Sequence, residues 1–170
     1  MQLWGCNSTL SAVSVVVVLE ACNLHTGKTS KQSFDVTLAA NASTEIWSGD
    51  VPDQPVRTTD AQVPEPIVVQ ARLYKSSDPG TVLARYSNWP EPWKYLTFPE
   101  VNLQVKVDGD QVELQADKPV KGVILDTEDD DDCEWSDQAI DLFPGDKQII
   151  TAKGLKGRKV TVRYIGDGSA

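Results

Sequence analysis

Glu134-Trp135-Ser136-Asp137-Gln138-Ala139-Ile140-Asp141-Leu142-Phe143-Pro144-Gly145-Asp146 puts a Trp, a short alternating run and a Pro-Gly turn into one polar corner. Strand-like runs flank it: Pro119-Val120-Lys121-Gly122-Val123-Ile124-Leu125 before, and Lys147-Gln148-Ile149-Ile150-Thr151-Ala152 and Lys159-Val160-Thr161-Val162-Arg163-Tyr164 after. β-Branched residues alternating with polar ones, broken by Gly and Pro, make short antiparallel strands. The corner thus reads as sandwich material, and favours a building-block domain over an active site.

The rest of the chain carries the same pattern. Helical spacing is almost absent, and Gly, Pro, Asn and Asp recur at short intervals, so the reading is all-β with no helix. Strands are expected at 2–6, 12–23, 31–39, 44–48, 67–74 and 82–87 in the first half. The second half offers 103–107, 111–116, 120–126, 134–136, 140–142, 148–152 and 160–164, with Asp108-Gly109-Asp110 as a tight hairpin signal. Pro52, Pro55, Pro64 and Pro66 make 50–66 a crossing between sheets, because Pro cannot donate to a central ladder.

Around 91–98 prolines stiffen a segment rich in aromatics, which reads as an ordered linker. The expectation is therefore two tandem immunoglobulin-like β-sandwich domains, 1–90 and 99–170, joined by the Trp- and Pro-rich linker 91–98. Neither half has the two-Cys-plus-Trp spacing of antibody domains.

With 170 residues, 40% hydrophobic and 24% charged, the composition is that of a soluble globular protein. The net charge of -9 argues against nucleic acid or an anionic membrane as partner, since phosphates attract clustered Lys and Arg. The one long apolar run, 12–19, is too short for a membrane-spanning helix. Met1-Gln2-Leu3-Trp4 lacks the basic start and cleavage site of a signal peptide; secretion is therefore unsupported and the location stays open, with an intracellular one favoured.

Cys6, Cys22 and Cys133 form an odd set without a CxxC pair, so reduced thiols are expected, with a Cys6–Cys22 bridge as the alternative.

Catalytic chemistry finds little footing. The single His25 lies in a turn-like segment, and there is no G-x-S-x-G elbow. Cys22 and His25 could make half a zinc site, but no second ligand pair completes it; no metal and no cofactor are expected. The acidic run Glu128-Asp129-Asp130-Asp131-Asp132 lacks the Gly and the spaced Glu of a calcium loop and reads as a solvated, self-repelling segment. A glycosidase needs two positioned carboxylates, and Glu65, Glu91 and Glu100, each beside a Pro in loop-like sequence, receive no catalytic role.

The aromatics are the remaining candidates. Trp89, Trp93, Tyr95 and Trp135 could stack on the apolar face of a sugar ring or hold two domains together; the second role is preferred. Asn7-Ser8-Thr9 and Asn41-Ala42-Ser43 match the N-glycosylation pattern.

Three groups of residues, in order, carry a family resemblance. They are Trp4-Gly5-Cys6-Asn7-Ser8-Thr9-Leu10; Val82-Leu83-Ala84-Arg85 with Trp89-Pro90-Glu91-Pro92 and Lys94-Tyr95-Leu96; and Glu134-Trp135-Ser136-Asp137 with Asp141-Leu142-Phe143-Pro144-Gly145-Asp146. Together they resemble the C-terminal portion of β-mannosidases of glycoside hydrolase family 2, most closely the fungal type B group. Gln138-Ala139 departs from the Asn-Gly expected after Ser-Asp, which leaves that turn open.

The resemblance implies a parent that hydrolyses terminal β-D-mannosides with glutamates on a (β/α)8 barrel. A barrel of about 250 residues does not fit in this chain, so no catalytic residue carries over. The implied partners are the parent's barrel and, as a candidate ligand, mannan or a mannooligosaccharide.

Overall fold

The computed structural model describes residues 1–56, 59, 62–90, 92–128, 133–155 and 157–168. Glu91 and Asp129–Asp132 lie outside the described residues, and with them most of the acidic run. The described regular structure is strand throughout, apart from one 3-10 turn at Trp93–Tyr95 in the segment read as linker. The chain separates into two compact units, Met1–Leu96 and Thr97–Ala170.

The first unit holds β1 (Gln2–Asn7), β2 (Val13–Asn23), β3 (Thr29–Leu38), β4 (Ala42–Ser48), β5 (Ile67–Lys75) and β6 (Asp78–Asn88). β1 and β4 pair as a small sheet, and the larger sheet runs β3-β2-β5-β6; every pairing is antiparallel. The Val-rich run of β2 alternates faces: Val15, Val17, Leu19 and Ala21 are fully buried, while Val16, Val18 and Glu20 are half-buried. The buried set meets Ile67 and Val69 of the same sheet, with Leu3, Ile46 and Trp47 of the small sheet packed against the resulting clusters. Gly5 is required by this packing, because a Cβ there would come within 2.7 Å of Leu38 Cδ2 and 2.9 Å of Ile46 Cδ1.

β6 begins earlier than its apolar residues suggest, taking in Pro79 and Gly80. Its register against β5 slips around Tyr74, and as an edge strand it needs no donor from Pro79 on its outer side.

Asn7, buried at 7% exposure, fastens one corner of this unit. Its Nδ2 donates to the carbonyls of Ser11 (2.9 Å), Leu38 (3.3 Å) and Ala39 (3.0 Å), and its Oδ1 accepts from Thr9 N (3.0 Å) and Oγ1 (2.8 Å). The connection after β1 is thereby tied to the end of β3.

The second unit holds β7 (Leu103–Asp108), β8 (Gln111–Ala116), β9 (Val120–Thr127), β10 (Glu134–Trp135), β11 (Ile140–Leu142), β12 (Gln148–Lys153) and β13 (Val160–Arg163). One sheet runs β10-β12-β8-β7 and the other β11-β9-β13. The β7–β8 hairpin turns on Gly109 at φ +57, which fits glycine at the first central position of a two-residue turn. The core gathers Val112, Leu114, Val123, Leu125, Leu142, Ile150 and Leu155, with Trp135 packed against it.

The corner at 134–146 carries the chain between the two sheets. Glu134 and Trp135 pair with Lys153 and Ala152, and Ile140 then pairs with Val123 in the opposite sheet. Asp141 Oδ2 takes a 2.9 Å bond from Lys121 Nζ and Oδ1 a 3.0 Å bond from Gly122 N, while Asp146 N closes the Pro-Gly turn on the Phe143 carbonyl at 3.0 Å. Cys6, Cys22 and Cys133 are all free thiols, so the alternative Cys6–Cys22 bridge is not formed.

Candidate binding cleft

A cleft of about 530 Å³ opens at one end of the first unit, where the β2–β3 turn, the segment entering β5 and the segment leaving β6 meet. Its position follows from Asn23, the last residue of β2. Asn23 Oδ1 accepts from the amides of His25 and Thr26, both at 2.9 Å, and its backbone carbonyl takes the Gly27 N–H at 2.8 Å. An Asn that bonds the amides two and three residues on makes a tight local turn, and this one presents His25 at the cleft wall.

The Asn23 Nδ2 also donates to Glu65 Oε2 at 3.0 Å. The Glu65 backbone is clasped by the Gln54 side chain, which donates to its carbonyl at 3.1 Å and accepts from its N–H at 2.9 Å. Leu24 N adds a 2.9 Å bond to the Pro66 carbonyl. Glu65 is therefore held in place although it belongs to no strand.

The third wall leaves β6 at Asn88, passes Pro90 and Pro92, and turns through Trp93–Tyr95. Bonds from Tyr95 N to the Pro92 carbonyl (3.1 Å) and from Leu96 N to the Trp93 carbonyl (2.9 Å) fix that turn. Tyr95 lines the cleft at 75% exposure, with Lys94 Nζ 4.9 Å from its ring centroid.

The four candidate aromatics thus occupy different settings. Trp89 is buried at 6% exposure; Trp93 is 40% exposed and is not part of the described lining; Tyr95 is in it; Trp135 packs on the core of the second unit. Sequence reasoning did not bring His25, Glu65 and Asn88 together. The Asn23-X-X-Thr26-Gly27 turn could have pointed to His25, but nothing local pointed to Asn88.

The lining offers a carboxylate, an imidazole, a phenol and three amides, those of Gln54, Gln62 and Asn88, and no Ser, Thr or Cys is among its described residues. Such a set can hydrogen-bond a ligand as donor and as acceptor. Among the described residues, no group of three or more His, Cys, Asp and Glu side chains is arranged to hold a metal ion.

Two antiparallel sandwiches in tandem define an immunoglobulin-like all-β protein. The family model of the mannosidase Ig/CBM-like domain matches residues 1–95, and that of an Ig-fold domain of the mannosidase type matches 96–167. This chain belongs to the mannosidase Ig/CBM-like domain family. It is 36% identical over 176 residues to β-mannosidase B of Thermothelomyces thermophilus, covering 98% of this chain and 20% of that protein. It is also 36% identical over 171 residues to β-mannosidase B of Emericella nidulans, covering 96% and 19%. The crystal structure of a β-D-mannosidase from Dictyoglomus thermophilum shares the fold at a TM-score of 0.67 and 18% identity, over 96% of this chain and 20% of that one. The chain spans about one fifth of the length of the relatives it matches.

Proposed function

We propose that this chain is the noncatalytic C-terminal segment of a β-mannosidase-like glycoside hydrolase, a pair of sandwiches that supports the parent's catalytic barrel. The parent would remove terminal non-reducing β-D-mannose from β-D-mannosides. The observation that carries this reading is coverage: nearly the whole chain aligns to one fifth of proteins named β-mannosidase B. A (β/α)8 barrel takes about 250 residues, more than the 170 present.

An open apolar edge on the second unit supports a docking role. Val105 and Val107 of β7 face the core side, opposite Leu114 and Val112, yet remain 37% and 41% exposed. Inward-directed Val residues left open at an edge strand offer a neighbouring domain something to cover.

The test replaces the matching fifth of the Emericella nidulans relative with this chain. The chimera is expected to be soluble and to hydrolyse p-nitrophenyl β-D-mannoside, the relative lacking this region to lose solubility or activity, and the isolated chain to release no nitrophenol. Hydrolysis by the isolated chain, or full activity of the relative without the region, would overturn the reading.

A further inference from the structure

From the cleft of the first unit we infer a second role, a binding site for a neutral hexopyranosyl oligosaccharide centred on Tyr95, Glu65, Asn88 and His25. The volume of about 530 Å³ lies within the range of roughly 300–1,000 Å³ typical of small-ligand sites. Its chemistry is that of a polyol site. A sugar ring pairs an apolar C–H face with a rim of hydroxyls that both donate and accept. The cleft supplies the counterpart to each.

For the apolar face there is Tyr95, three-quarters exposed, with Pro90 and Pro92 continuing the wall. Lys94 sits over the Tyr95 ring at 4.9 Å, a cation–π contact that favours one ring orientation. For the hydroxyl rim there is Asn88, whose side-chain amide makes no hydrogen bond among the described residues and so has donors and an acceptor to spare. Glu65 adds an acceptor pre-positioned by Asn23 and Gln54, and the His25 ring adds a group able to donate or accept.

Charge sets the class further. A chain of net charge -9 with Glu65 in the cleft disfavours an anionic ligand, and the polar rim disfavours a purely apolar one. The ring that stacks is Tyr95, because it lines the cleft, whereas Trp89 is buried, Trp93 is not part of the described lining and Trp135 lies against the other unit's core. This site is independent of the support role, since it concerns the first unit alone and needs no barrel.

Titration calorimetry of the full chain with β-1,4-mannotetraose and, separately, cellotetraose tests the site. Saturable binding of at least one is expected. Tyr95→Ala should weaken it at least tenfold and Tyr95→Phe should retain it, because the ring face and not the hydroxyl makes the stack. Asn88→Ala should weaken it severalfold. Trp4→Ala removes a half-exposed indole outside the cleft lining and should leave binding unchanged. Circular dichroism of each variant separates lost binding from lost fold. No saturable heat with either sugar, or equal affinity in a folded Tyr95→Ala variant, would overturn the assignment. Neither result bears on the chimera experiment, whose readout is hydrolysis.

Discussion

The side chain of Gln138 stands in for a missing strand residue opposite Leu125. Its Oε1 accepts the Leu125 N–H at 2.9 Å and its Nε2 donates to the Leu125 carbonyl at 2.7 Å. β11 pairs with β9 at Ile140↔Val123, so two further residues along the antiparallel ladder Gln138 would face Leu125. The backbone turns away at Ala139, φ +56, and the amide side chain continues the ladder. Gln138→Ala should therefore leave two backbone groups of a buried residue without partners and cost about 1–3 kcal/mol. Chemical denaturation reads this directly, and a loss below about 0.5 kcal/mol would show that the bracket is not needed.

Ala139 holds a left-handed backbone that glycine adopts without steric cost. Ala139→Gly is expected to stabilise the second unit by about 0.5–1 kcal/mol, against the usual penalty for placing Gly in a protein. A lower denaturation midpoint in the variant would refute the strain argument.

Gln70, in the middle of β5, is only 1% exposed, and neither its Nε2 nor its Oε1 finds a hydrogen-bond partner among the described residues. A buried amide without partners costs on the order of 1–3 kcal/mol. Gln70→Met keeps the length of the side chain and removes the amide, so the variant should unfold at higher denaturant by about 1 kcal/mol. Equal or lower stability would mean that the amide is satisfied in solution.

Asp53 is held below the usual carboxylate range, chiefly by a hydrogen bond from Ser30; burial opposes this, and Lys28, 3.6 Å away, adds a smaller lowering effect. Because the folded form binds the proton less readily than the unfolded chain, the interaction stabilises fully above the ordinary Asp range. It is lost as pH falls through the depressed folded value. Wild type and Asp53→Asn should accordingly differ in melting temperature near neutral pH and converge only at acid pH, once the pH has fallen below the depressed folded value. Parallel curves across that range would exclude Asp53 as a contributor.

The fold was open to sequence reasoning wherever one strong local signal decided an element. The Val run of β2 alternates between a buried and a half-buried face, and Asp108-Gly109-Asp110 marks a turn whose geometry demands it. The start of β6 was not readable, because Pro79 and Gly80 look like turn residues until the strand is known to lie at an edge. The replacement of an expected Asn-Gly by Gln138-Ala139 marked an irregular turn. Only in the folded chain is it visible that Gln138 repairs the ladder while Ala139 bears the left-handed backbone.

The cleft was the least legible part. His25, Glu65, Asn88 and Tyr95 come from a turn, a connecting segment, a strand end and a 3-10 turn, and no periodicity links them. Sequence displays how much aromatic area a chain has, but burial decides which ring is offered to solvent. Trp89 is buried, whereas Tyr95 is three-quarters exposed.

The sealed position of Asn7 also matters for producing the protein. An oligosaccharyltransferase acts on chains as they emerge, before the β1 corner has closed, and a glycan attached there would occupy the space that the Ser11, Leu38 and Ala39 carbonyls need. Asn41, on an exposed turn at φ +46, could carry the same modification harmlessly. A secreting host would thus yield a misfolded fraction that a bacterial cytoplasm does not, and Asn7→Asp would be a poor remedy, because it discards the donor that makes all three of those bonds.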